Sequence, residues 1–119
     1  MTTTTHTVER IGELNDRARH GLDRTAKRVV TRTCLMTIAG SESDVALFVA
    51  QARIIQALRQ WEPPVGDRSE RDLGYFELDG HRLMFKCDYY APGLEWGSEN
   101  PADPDRTIRV ITVMLPSDY

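Results

Sequence analysis

No stretch of this sequence stays apolar for long. The longest uninterrupted apolar run, Val45 to Ala50, is six residues, whereas a membrane-spanning helix needs about 20 and a signal-peptide core about 7 to 15. No membrane anchor is expected, and the cytoplasm is the expected compartment. Cysteine is scarce as well. Cys34 and Cys87 form no C-x-x-C pair, and the three histidines, His6, His20 and His81, fall on an N-terminal tail, a helix end and a hairpin turn. Such scattering argues against a zinc or other transition-metal centre, and a chain of 119 residues builds a core without a disulfide staple. Two reduced, buried thiols are expected. Missing too are the phosphate-cradling G-x-x-x-x-G-K-[ST] and G-x-G-x-x-G loops and the G-x-S-x-G nucleophile elbow, so nucleotide-dependent and serine-hydrolase chemistry have no sequence support. The length allows one domain, 1–119, with 1–6 expected to fray because Met1 to Thr5 carry almost nothing to bury.

Charge is present but divided. Residues 1–60 hold nine Lys or Arg against six Asp or Glu, and residues 61–119 hold six against twelve, so a net +3 half precedes a net -6 half. A nucleic-acid binder concentrates cations where phosphates lie. The densest cluster here is only Arg24, Lys27, Arg28 and Arg32, which a solvated helix end and strand face also explain. Direct nucleic-acid binding is therefore not expected.

Apolar spacing supplies the elements. Val8, Ile11, Leu14 and Ala18 recur at helical intervals between Thr7, an N-cap candidate, and Gly21, a stop. Residues Arg28 to Ile38 are rich in β-branched side chains and read as a first strand. Ser41 and Ser43 are N-cap candidates for a helix running to Trp61, on which Val45, Phe48, Val49, Ala52, Ile55 and Leu58 form a stripe, broadened by Leu47, Ile54 and Trp61, expected to lie across the sheet. Glu62-Pro63-Pro64 ends it. Asp79-Gly80 between two alternating segments marks a two-residue type I′ hairpin. Counting outward pairs Leu78 with His81, Glu77 with Arg82, Phe76 with Leu83 and Tyr75 with Met84, which gathers Phe76, Leu78, Leu83, Phe85, Cys87 and Tyr89 on one face. A loop over 91–106 leads to a last strand, Thr107 to Leu115. The order α-β-α-β-β-β predicts an α+β fold, one antiparallel sheet with two helices packed on one face. Because Gly80 must take positive φ, Gly80→Val is expected to cost a few kcal/mol through turn strain and register loss, seen as a lowered melting temperature.

The second half contains Phe76-Glu77 before Asp79-Gly80, then Lys86-Cys87-Asp88-Tyr89-Tyr90, then Gly97-Ser98-Glu99-Asn100-Pro101-Ala102-Asp103-Pro104. These words resemble a family of small bacterial proteins, common on plasmids and other mobile elements, classified as a domain of unknown function. Arg10 to Asp16 fits the family more loosely. Glu62 to Asp72 departs from it, since similar proteins carry an acidic, His-containing loop there. The resemblance implies a shared fold and genomic setting and supplies no catalytic residue.

Two functional readings follow. In the first, Asp88, Tyr90, Glu95, Trp96, Glu99, Asp103 and Asp105 form an acidic, aromatic-bearing surface, because aromatics ringed by charge are typical interface anchors. The protein is then a non-enzymatic module docking on a basic protein partner. The genomic setting that the resemblance implies points to a CRISPR or restriction nuclease subunit as that partner, and to an anti-CRISPR or anti-restriction inhibitor. The acids also suit a hard cation by chemistry, but they lack EF-hand spacing, so no metal and no cofactor is expected. In the second reading the protein is a small ribonuclease toxin using His81, Arg82, Lys86 and Tyr90. The net -6 of that half, which repels phosphate, counts against it.

Overall fold

The computed structural model describes the backbone from residue 2 to residue 119 and side chains from residue 7. Among the described residues, three α-helices cover one face of a four-stranded sheet, an α+β fold. Helix α1 (Thr2–Arg19) buries Ile11, Leu14 and Ala18. It ends where the sequence says it should: Gly21 takes φ 78°, its N–H bonds the Ala18 carbonyl, and the Leu22 N–H reaches back to Arg17, closing a Schellman motif. Its start differs. The helix runs back to Thr2, so Thr7 lies inside it rather than capping it, and of the start expected to fray only Met1 lies outside the described residues.

The first strand is the largest correction. Strand β1 is only Lys27–Val30, and α2 (Arg32–Ala39) occupies the rest of the segment expected to be extended. Capping wins over β propensity here. The Thr31 hydroxyl accepts from the Cys34 N–H at 3.3 Å, Gly40 closes the other end at φ 66°, and Thr37 satisfies its own hydroxyl on the Thr33 carbonyl at 2.7 Å. Thr31 and Thr33 also donate to Asp118 at 2.9 and 2.6 Å, a partner 85 residues away in Thr33's case. The buried pair Cys34 and Ile38 then shows a four-residue period. Helix α3 (Asp44–Gln60), capped by Ser43, leaves α2 at 105°.

Strands β2 (Leu73–Leu78) and β3 (His81–Tyr90) form the hairpin in the register read from the sequence, with Asp79 at φ 54° and Gly80 at φ 79°, as a type I′ turn requires. Strand β4 (Ile108–Met114) pairs antiparallel with β3 and parallel with β1, giving the order β1-β4-β3-β2. The sheet is thus mixed instead of antiparallel, with three helices instead of two. The cause is the extra helix: α2 and α3 together carry the chain across the sheet, so it re-enters at the far edge in its original direction.

Leu83, Phe85, Cys87, Ile111 and Val113 meet Ala18, Cys34, Ile38, Ala50, Ile54 and Leu58 in a single core. Only part of the stripe expected on α3 takes part: Leu58 is buried and Ile55 half-buried, while Val45, Phe48, Val49 and Ala52 face outward. The opposite sheet face carries Tyr75, Glu77 and Arg82 exposed, but Met84 and Met114 are buried on it, next to the C-terminal 3-10 turn Pro116–Asp118. Among the described residues no single helix is long and apolar enough to cross a membrane.

Candidate interaction surface

The loop after β3 is built from short turns rather than left loose. Leu94, with φ 63°, and Gly93, with φ 98°, reverse the chain, so that Tyr90 bridges Gly97 and the Ala91 N–H donates to the Trp96 carbonyl at 2.7 Å. Ser98 then fixes the return: its hydroxyl sits 2.8 Å from that of Thr107 and accepts from the Asn100 N–H at 3.2 Å. Asp103 accepts from the Asp105 N–H at 2.9 Å and opens the 3-10 turn Pro104–Arg106.

These constraints sort the residues singled out from sequence. Trp96 is 75% exposed, and Glu95, Glu99 and Asp105 are exposed with it. A shallow depression of about 390 Å³ lies between Pro92, Trp96, Glu99 and Arg106. Asp103 is half-buried, engaged in the turn and paired with Arg106 at 3.6 Å. Asp88 pairs with Lys86 at 3.0 Å on the sheet, and Tyr90 is a half-buried strand residue beside Ile108. The loop therefore presents Glu95, Trp96, Glu99 and Asp105 outward, while Asp88, Tyr90 and Asp103 serve the scaffold beneath. Among the described residues no three His, Cys, Asp or Glu side chains gather closely enough to hold a metal ion, so the acids do not converge on one point.

Sequence reasoning missed the polar cluster under this loop. Arg109 is 1% exposed and donates from Nε to Asn15 Oδ1 at 2.6 Å and from Nη2 to the Pro101 carbonyl. Its guanidinium lies 5.2 Å from the centre of the Tyr89 ring. Asn15 in turn donates to Tyr89 Oη at 2.7 Å, and Tyr89 donates to Glu70 Oε2 at 2.8 Å. Burial depresses the Arg109 pKa; burial also pushes the Tyr89 phenol well up, which leaves it a neutral donor. The available signal was parity: Arg109 shares the inward-facing alternation of Ile111 and Val113.

Beside this cluster, Arg71 clasps Asp16 through two bonds of 2.9 Å, and Arg19 adds a third at 2.9 Å. Burial opposes ionisation of Asp16, but the Arg71 and Arg19 hydrogen bonds outweigh it and hold the carboxyl below its ordinary value. The segment Glu62 to Asp72 thus acts as a clamp on α1 through Glu70 and Arg71. Both cysteines are free and buried. Burial lifts Cys34 to about 11 and Cys87 to about 12, so neither is a thiolate near neutral pH.

A family model described as a protein of unknown function, DUF3768, matches residues 33–118. The chain belongs to the DUF3768 family. Neither a curated protein nor a solved structure matches it. The DUF3768 match takes in α2, α3, the clamp, the hairpin, the loop and β4. Helix α1 and β1 precede it, so in the polar cluster Asn15 stands outside the DUF3768 match while Glu70, Tyr89, Pro101 and Arg109 lie within it.

Proposed function

We propose that this DUF3768 protein is a non-enzymatic binding module of the cytoplasm that docks a basic protein surface on the loop bearing Glu95, Trp96 and Glu99. The observation that carries the reading is Trp96: a tryptophan 75% exposed on a loop tied by its own hydrogen bonds has little entropy left to lose when a partner covers it. Acidic neighbours steer a basic partner and set its register more than they tighten it. The finer reading, an inhibitor of a CRISPR or restriction nuclease subunit encoded on a mobile element, is supported by the genomic setting that the sequence resemblance implies. Its test is whether expression protects an invading phage or plasmid.

The toxin reading is less well supported by geometry. A strand rises about 3.3 Å per residue, so Arg82, Lys86 and Tyr90 stand about 13 Å apart in succession along β3, too far to serve one scissile phosphate. His81 points to the other sheet face, Arg82 stacks 4.3 Å over the Tyr75 ring, and Lys86 is paired with Asp88.

The deciding experiment captures partners from the native host and compares wild type with two variants. Trp96→Ala is expected to lose the partner. Glu95→Gln, Glu99→Gln and Asp105→Asn together are expected to weaken binding by about tenfold or more at low salt and to flatten its salt dependence, since exposed charges are screened within about 10 Å at 0.1 M. Asp103 is left alone because it caps a turn. Unchanged binding by both variants overturns the docking surface, and RNA cleavage by pure wild type that disappears in Arg82→Ala, Lys86→Ala restores the toxin.

A further inference from the structure

We propose that the C-terminal half of α1 and the turn after it bind a small phosphate monoester, with the phosphoryl group among Arg10, Arg17 and Arg24 and the organic part on Leu14, Leu22 and Pro104. These side chains line one open pocket of about 500 Å³, a size within the range of roughly 300 to 1,000 Å³ typical of small-molecule sites. Its shape follows from the chain. Arg10, Leu14 and Arg17 recur at i, i+4 and i+7 on one face of α1, and Leu14, buried, gives that face an apolar floor between two cations. The Schellman closure at Gly21 then folds the chain back, with the Leu22 N–H on the Arg17 carbonyl. Asp23 fixes the next step by accepting from the Thr25 N–H at 2.9 Å and the Thr25 hydroxyl at 2.7 Å, so Arg24 is carried to the pocket by a tied turn.

Charge selects the ligand. Three arginines share the pocket with one acid, Asp23, and the buried Arg109 guanidinium lies close enough to interact with both Asp23 and Arg10. Arg10 makes only an exposed contact of 3.4 Å to Glu13. Among the described residues Arg17 and Arg24 have no hydrogen-bond or ion-pair partner at all. Two unpaired guanidinium forks match a phosphate monoester, which carries close to two negative charges at neutral pH and accepts paired N–H donors. Leu22, 60% exposed, and Pro104 supply an apolar rest for the group that the phosphate carries. The surroundings favour a small ligand over a polymer. Glu9 and Glu13 flank Arg10 along α1, and Asp103 and Asp105 flank Pro104 on the loop, so a polynucleotide leaving the pocket toward either wall would meet carboxylates that repel its next phosphates.

The test is a two-dimensional nitrogen–proton NMR titration of the full chain at fixed ionic strength, with phenyl phosphate, inorganic phosphate and phenol as probes. Phenyl phosphate is expected to move the amide signals of residues 17–24 and the arginine Nε–H signals, saturating with a Kd of about 0.1 to 1 mM. Inorganic phosphate is expected to bind the same residues about tenfold more weakly, for want of the apolar group, and phenol not to bind. Arg17→Gln and Arg24→Gln, both at exposed positions, are expected to keep the native circular dichroism spectrum and each to lose about tenfold or more in affinity. Leu22→Ser is expected to narrow the preference for phenyl phosphate over inorganic phosphate, and Arg68→Gln, an exposed arginine outside the pocket, to change nothing. No saturation by about 20 mM phenyl phosphate, equal affinity for the two phosphates, or wild-type binding by both Arg17→Gln and Arg24→Gln would each overturn the proposal. So would tighter binding of a short thymidine oligonucleotide that the same variants abolish, since the pocket would then be part of a polynucleotide surface. The pocket shares no residue with the Trp96 depression, so the two proposals stand or fall separately.

Discussion

Gly74→Val is expected to lower stability by about 3 kcal/mol or more, enough to leave a domain of ordinary stability, 5 to 15 kcal/mol, close to unfolding. A Cβ at this strand position would sit 2.5 Å from Phe85 Cε2 and 2.6 Å from Trp61 Cζ2. Neither ring can retreat cheaply. Trp61 meets Phe85 edge-on with centroids 4.9 Å apart, and its Nε1 donates to the Tyr75 carbonyl on the same strand at 3.1 Å. The Arg19 guanidinium, itself 2% exposed, closes the other side at 4.9 Å from the Trp61 ring. The glycine is thus the slot through which the end of α3 packs onto β2. Gly74→Ala is expected to lose about 1 to 3 kcal/mol by the same overpacking. Urea denaturation followed by near-ultraviolet circular dichroism reads both variants, and an unchanged midpoint for Gly74→Val would mean that Trp61 does not pack here.

Arg109→Ala is expected to cost about 3 to 5 kcal/mol, because it empties a buried volume and strips partners from polar groups that water cannot reach. Asn15 Oδ1 would keep only the weak Cys87 thiol at 3.5 Å, and the Pro101 carbonyl would lose the Arg109 Nη2 donor. Arg109→Lys is no conservative change here. One ammonium on a flexible stem cannot reproduce a planar fork reaching Asn15 and Pro101 at once, so a substantial part of the loss is expected to remain. The second consequence is local. Since Arg109 anchors Pro101 from below, hydrogen exchange of the amides of residues 98–105 is expected to accelerate beyond what the global loss explains. Equal acceleration across the whole chain would sever the cluster from the loop it underlies.

That coupling is the link between core and candidate site. The face of the loop that carries Trp96 is held by Ser98, Thr107 and Arg109, all of which connect to β4 or its start. A binding surface on a loop gains precision when its backbone is tied to a strand in this way.

What the sequence determined by itself was whatever depends on neighbours along the chain. The Asp79-Gly80 pair demands positive φ at two adjacent residues, so turn type, register and the inward set Phe76, Leu83, Phe85 and Cys87 followed at once. Ser43 and the proline pair bounded α3 for the same reason. Tertiary structure decided the rest. Residues 31–39 carry β-branched threonines yet form a helix, because a cap at Thr31 and the distant Asp118 satisfy those hydroxyls. With that helix inserted, the chain crosses the sheet before β2, and β1 lies parallel to β4 rather than antiparallel. The roles of the acids were equally hidden in the sequence. Glu95 and Glu99 face solvent, Asp103 closes a turn and Asp88 pairs with Lys86, a division set by where each backbone position points once the loop has closed on β4.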